Sequence, residues 1–197
     1  MAIVLQKGQK TDITKTNPGI RSVIIGMGWN SGSVEIDIDA AAFALGANGK
    51  VETDNDFVFY NNSNWNNGAI IHTRNQNSSN GDREQLKIEI SKIPVKVTKV
   101  AFTCTIYDFE KRAQSFGQVK NAYIRVVNGE TNVEIARYNL DNNLSVETAV
   151  VVGELYRHNS EWKFNPIGSG YKGGLNALCS DFGVTVDEKP VPPKPVQ

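Results

Sequence analysis

From Lys99 onward, "KVAFTCTIYD" alternates with a period of two, placing Val100, Phe102, Cys104 and Ile106 on one face. Upstream, "EQLKIEI" does the same, with Leu86, Ile88 and Ile90 inward and Lys87 and Glu89 outward. A two-residue period is that of a β-strand, whose side chains point alternately to opposite faces. The rest of the chain repeats the theme in "GAIIHT", "NAYIRVVN", "EIARYNL", "TAVVVGELYRH" and "EWKFNPIG", the last two joined by a tight turn at His158-Asn159-Ser160. "RSVIIGMGW" reads as a buried strand broken by Gly26 and Gly28, and the Asn-Gly of "GANGK" as a turn between "AAFAL" and "KVETDNDFVFY". Many short strands with frequent turn signals predict an all-β protein, an antiparallel β-sandwich with one or two short helices. The helices fall in "DFEKRAQSFGQVKNA", with Phe109, Ala113, Phe116 and Val119 at helical spacing and Asp108 as cap, and in "GLNALCSDFG", with Gly183 as the stop.

The 197 residues suffice for one domain, expected over 1–186, followed by a Pro-rich tail over 187–197 with too little apolar surface to fold. Lys plus Arg and Asp plus Glu are both 21, so nothing in the net charge calls for nucleic acid or an anionic membrane. No apolar run approaches a membrane span, and "MAIVLQKGQKTDITK" lacks the stretch of a secretory signal. The two cysteines, Cys104 and Cys179, suit a reducing compartment, and cytoplasmic residence is the expectation.

The polar features that stand out are acidic or rich in amide oxygens. In "VEIDIDA" the alternation sets Glu35, Asp37 and Asp39 in one row, where like charges repel. Asp37 and Asp39 could converge on a hard cation, or pair across the sheet with Lys or Arg. Two loops, "NNSNWNNG" and "RNQNSSNGDRE", are crowded with side-chain oxygens. Such residues also serve ordinary turns. An EF-hand is excluded, because the sixth residue counted from Asn75 is Asn80 instead of Gly and strands flank the loop. Any calcium site must be assembled from separate loops.

"GMGWN", "IDIDAAAFAL", "DNDFVFYNN", "YDFEKRAQSFGQVKNAYIRVVN" and "GELYRHNSEWKFNPIGSGYKGGL" occur in the order and spacing of the TerD family. The resemblance spans roughly Met1 to Val184. It implies a calcium-binding β-sandwich without known catalysis, associated with resistance to tellurite and other stress, and working with other tellurite-resistance proteins at the membrane. Carried over by position, it implies a Ca²⁺ ligand set of Asp37, Asp39, Asp56, Asn61, Asn62, Asn75, Asn77, Asp82 and Glu84. Where the family reads close to "HTGDNRTGEGDGDDE", this chain has "HTRNQNSSNGDRE", two residues shorter and poorer in carboxylates, which predicts weaker binding or the loss of one of two sites. Asp108 matches a family acid too, though a helix cap explains it equally well.

Other chemistry is thin. "GSGYKGG" resembles a phosphate loop but lacks the Gly-Lys-Ser/Thr ending, and two histidines are few for zinc. Direct reduction of tellurite would call for reactive thiols. The expected function is therefore a non-catalytic calcium-binding stress module. The alternative is a calcium-dependent binder of carbohydrate or another polar ligand, with Trp65 as a stacking surface. A metal-dependent hydrolase comes third.

Overall fold

The computed structural model describes residues 2–31, 35–74, 81–140 and 144–186. The expected tail, 187–197, lies outside them. The strands in chain order are β1 (Ile3–Leu5), β2 (Thr11–Asp12), β3 (Ser22–Asn30), β4 (Ile38–Leu45), β5 (Phe57–Val58), β6 (Asn64–Trp65), β7 (Ile70–Arg74), β8 (Glu84–Glu89), β9 (Lys99–Ile106), β10 (Lys120–Asn128), β11 (Glu134–Asn139), β12 (Ala149–His158) and β13 (Glu161–Tyr171). They form two sheets, ordered β1-β11-β10-β3-β8-β7-β6 and β2-β13-β12-β9-β4-β5. Every pairing is antiparallel except β1 with β11, which is parallel.

The faces follow the alternation. Val100, Phe102, Cys104 and Ile106 of β9 meet Val23, Ile25 and Met27 of β3 and Leu86 and Ile88 of β8 in one core between the sheets. Ile36, Ile38, Ala40, Ala42 and Ala44 enter the same core. The opposite face of β4, with Ala41, Phe43 and Leu45, is also buried, in a second cluster closed by a helix. That is why "AAFAL" is apolar throughout: a strand covered on both sides has no solvent face to mark with polar residues.

The covering helix is α2 (Gly174–Phe182). It turns Leu178, Cys179 and Phe182 onto the sheet, and the Phe182 ring lies 4.6 Å from that of Phe43. It ends at Gly183, which takes φ +81°, while the Val184 N–H returns to Cys179 O at 2.8 Å. This is the left-handed exit that glycine favours.

The other expected helix is cut short. α1 (Phe109–Arg112) makes one turn, and Ala113 exits at φ +48°. The reason is tertiary: Gln114 Nε2 donates to Glu35 O, Ser115 Oγ to Ser145 O, and Phe116 N–H to Glu147 O. Two side chains and one backbone N–H thereby tie the chain to two other segments, and the Phe116 N–H is spent on Glu147 O where a helix would have used it internally. Asp108 does not cap it either. It adopts φ +52° with no side-chain cap bond, and pairs instead with Lys111 at 3.2 Å.

Gly26 and Gly28 do not break β3, which runs unbroken from Ser22 to Asn30. They make room on the outer face of the seven-stranded sheet. A Cβ on Gly26 would lie 2.2 Å from Asp82 Oδ2, and one on Gly28 would lie 2.5 Å from the Tyr123 ring. "GSGYKGG" is no loop: Gly168 to Tyr171 belong to β13, and Gly173 precedes α2.

Candidate functional site

β5 pairs with β4 only at Ala42 and Phe43. The start of β4 is thus uncovered by β5 and lies against β8 of the facing sheet, and a side chain takes the strand's place. Glu84, pointing inward from β8 and 3% exposed, accepts the Ala40 N–H at 2.8 Å through Oε2. The same oxygen lies 2.8 Å from Nε2 of buried His72, which must carry its proton there to donate. Oε1 accepts from Arg74 Nε at 3.0 Å. A carboxylate this deep needs such partners, because leaving it unpaired away from water is costly.

Arg74 then reaches back to β4. Its Nη2 lies 2.7 Å from Asp39 Oδ1 and 3.9 Å from Asp37 Oδ1. One guanidinium therefore faces three carboxylates, and the repulsion within the acidic row is relieved by a cation of the chain's own. Burial works against the charged Arg74, but Glu84, then Asp39 and Asp37, outweigh it and hold its pKa above the ordinary value. Tyr60 stands beside this group, its hydroxyl pKa pushed up by burial and then by Asp39. Next to it opens a cleft of about 330 Å³, lined by Phe57, Phe59, Phe109 and Leu175, with Asp39 and Asp108 also in its wall.

Asp37, Asp39 and Glu84 thus come together. Asp56 does not join them: its Oδ2 accepts the backbone N–H groups of Glu52 and Thr53, and its Oδ1 the indole N–H of Trp65 at 2.9 Å. It precedes Phe57, the partner of Phe43, and so lies about five residues along β4 from Asp39, roughly 16–17 Å at the rise of a strand. The Asn62 amide donates to Asn55 O and Phe57 O, fastening its own turn, and Asn61 is exposed. Asn75 and Asn77 lie outside the described residues. Trp65, 7% exposed, is a core residue bound to Asp56, so it offers no stacking surface for a sugar.

Asp82 goes to the other face of its sheet. It is 2% exposed. Its Oδ1 accepts from Tyr123 OH and Arg125 Nε, and its Oδ2 from Arg125 Nη2 and Gln85 Nε2, at 2.7–2.8 Å. Arg125 extends the network to Glu134 at 3.1 Å, and Glu134 to Arg137 at 2.9 Å. The hydrogen bonds to Asp82 come first among the causes that raise the Arg125 pKa. Burial, followed by its bond to Asp82, pushes the Tyr123 hydroxyl up to about 12. Reading the sequence allowed a Lys or Arg partner for Asp37 and Asp39 without naming Arg74, and it missed His72. The structure sets Arg74 directly across the β7–β8 ladder from Glu84.

The donors gathered by Arg74 are hard carboxylate oxygens, the type calcium takes. Among the described residues no three His, Cys, Asp or Glu are arranged to hold a metal ion on their own. Asp37 and Asp39 offer oxygens of that type, and the Arg74 guanidinium already bridges them. The thiols are a different case. Cys104 and Cys179 are both free and buried, on opposite sides of the six-stranded sheet. Burial pushes the Cys104 thiol far up and that of Cys179 up to about 11. Neither should react with a thiol reagent at neutral pH until the protein unfolds, a result that timed alkylation with and without denaturant would check.

The chain is a β-sandwich with a helix on one outer face and a group of carboxylates at the start of β4, and no described helix is long and apolar enough to cross a bilayer. The TerD domain matches residues 1–182, and the chain belongs to the TerD family. It is 47% identical over 192 residues to general stress protein 16U of Bacillus subtilis (strain 168), covering 94% of this chain and 100% of that one. It is 44% identical over 189 residues to the tellurium resistance protein TerD of Serratia marcescens, covering 93% and 98%. A solved structure of a TerD homologue from Streptomyces coelicolor A3(2) shares the fold, with a TM-score of 0.63 at 18% identity over 86% of this chain and 100% of that one.

Proposed function

We propose that this protein is a non-catalytic, cytoplasmic stress-response module that binds calcium at the Asp37–Asp39 edge of its sandwich and acts through partner proteins of a tellurite-resistance system. The observation that carries the calcium reading is the meeting of Asp37, Asp39 and Glu84 around one cationic centre. The stress role is supported by relatives named for general stress and tellurium resistance. Buried thiols with raised pKa values speak against a reductase that works through cysteine.

Asp37 and Asp39 would be the ligands, with Glu84 behind them anchored by Ala40 N–H and His72. The bound ion would supply the charge that draws this edge together, and a partner would read the change. Calcium is preferred over magnesium, because Mg²⁺ demands compact octahedral geometry and gives up water reluctantly, whereas Ca²⁺ accepts irregular oxygen sets. Titration calorimetry should show saturable heat with Ca²⁺ and none of comparable size with Mg²⁺. Equal heats for the two ions, or no binding of either at millimolar levels, would reject the calcium reading.

A further inference from the structure

The cleft beside Tyr60 has the chemistry of a groove for an extended apolar segment. Its wall holds the rings of Phe57, Phe59, Tyr60, Tyr107 and Phe109, with Leu175 of α2. The rings fix one another: Phe57 stacks on Phe43 at 4.5 Å and on Phe59 at 4.4 Å, and Phe59 meets Tyr60 edge-on at 5.2 Å. About 330 Å³ gives room for a few residues of an extended chain but for no folded element. Three carboxylates, Asp39, Asp108 and Glu110, stand in the wall against one cation, Lys111. Asp39 is taken by Arg74. Asp108 pairs with Lys111, whose side chain is 81% exposed, so that pair has little weight, and Glu110 is exposed. Aromatic-lined grooves take proline-rich segments in the polyproline II form, whose pre-set backbone loses little freedom on binding. Acids at the rim add a preference for a segment that carries lysine or arginine.

The chain carries such a segment itself. In "KPVPPKPV", residues 189–196, every residue up to Pro195 is a proline or precedes one, which restricts all of them to extended backbone. Three residues per turn would set Pro190, Pro193 and Val196 on one edge and Pro192 and Pro195 on the next. The segment has two lysines and no acid. The point of departure is also close. The described residues end at Val186, and the Thr185 N–H is fastened to Asp54 Oδ1 at 2.8 Å. Asp54 lies three residues before Phe57 of the cleft wall, and Leu175 and Asn176 at the far end of α2 line the cleft too. At 1.5 Å per residue α2 is about 14 Å long. Ten residues of polyproline II span about 31 Å, which reaches the cleft with length to spare. We propose that residues 189–196 dock in this cleft as a polyproline II strand, with prolines on the rings of Phe57, Phe59 and Phe109 and lysines toward Asp108 and Glu110. A tethered segment acts at an effective concentration in the millimolar range, so even a contact of millimolar affinity is made in about half the molecules. The matched TerD domain stops at residue 182, so this contact is one that the chain adds to the family fold. It involves no metal and is independent of the calcium reading.

The test is solution NMR on the full chain, natural and with Pro192→Gly plus Pro193→Gly, with Lys194→Glu, or with Glu110→Lys. In the natural protein the Val191 and Val196 methyls should show NOEs to the Phe59 and Phe109 rings, and the Lys194 amide should relax as part of the domain. The glycine pair should lose both signals while resonances of the sandwich away from the cleft stay in place, since neither substitution lies in the domain. Lys194→Glu and Glu110→Lys should each reduce the docked fraction severalfold, and added salt should weaken docking in the natural protein. Residues 189–196 relaxing like a short free peptide in the natural protein would overturn the proposal. Undiminished docking in the glycine pair would overturn it too, as would docking that neither charge reversal changes. NOEs that vanish on dilution would overturn it by giving the cleft to the segment of a second copy. Cleft resonances that shift with added benzylamine while the segment stays undocked would overturn it in favour of a small organic cation.

Discussion

Replacing Asp82 by asparagine is expected to lower stability by about 3–5 kcal/mol, the cost of removing one partner from a buried ion pair. For a domain of this size that corresponds to a fall in Tm of roughly 6–20 °C. The magnitude comes from what is left behind. Arg125, 9% exposed, would lose the carboxylate that takes two of its N–H groups, and nothing else described replaces that charge. Its remaining carboxylate, Glu134, is shared with Arg137 through two bonds of 2.9 and 3.0 Å. Replacing both partners by apolar residues of similar size, Asp82→Leu with Arg125→Met, should recover most of the loss, because the desolvation cost of both charges disappears together. Thermal denaturation of the two singles and the double closes the cycle. If Asp82→Asn melted within about 2 °C of the natural protein, the fork would have no such weight, since about 3 kcal/mol should shift Tm by more than that.

The second large effect is expected at Glu84. Glu84→Ala should cost about 3 kcal/mol, because Ala40 N–H, His72 and Arg74 lose an acceptor in the seam between the sheets. Glu84→Gln should cost less but more than nothing, since its amide group turns a donor toward one of three donors. Hydrogen exchange gives a sharper reading than melting temperature. The Ala40 amide is protected by a side chain instead of a strand, so both substitutions should speed its exchange while leaving amides in the centre of β9 near their original rates. Unchanged protection at Ala40 would mean that Glu84 does not hold the edge of β4.

Asp82 and Glu84 also show where local reading stops. Two residues apart in "GDRE", they would share one face of a regular strand. β8 begins only at Glu84, and the Arg83 N–H is drawn to Met27 O at 2.8 Å. The chain therefore passes Asp82 to the outer face, over Gly26, before Glu84 turns inward. Grouping both acids with Asp37 and Asp39 in one Ca²⁺ ligand set relied on a family pattern. The structure joins Glu84 to those residues and gives Asp82 to Arg125.

What the sequence determined by itself is what depends on short-range periodicity. Val100, Phe102, Cys104 and Ile106 share a buried face because successive side chains alternate, whatever they pack against. α2 was legible because Leu178 and Phe182 are four apart and Gly183 can take the left-handed exit. The row of Asp37 and Asp39 was legible for the same reason. Tertiary structure decided whatever turns on competition between distant partners. α1 stops at one turn because Ser145, Glu147 and Glu35 claim the residues that would have extended it. Gly26 and Gly28 look like strand breakers until Asp82 and Tyr123 are laid across them. The charge of the acidic edge was not readable from its acids alone, since its counter-ion comes 35 residues later, with Arg74 bonded to Asp39. A hydrogen bond or ion pair is chosen by which groups the fold brings within about 3 Å, and no local pattern encodes that distance.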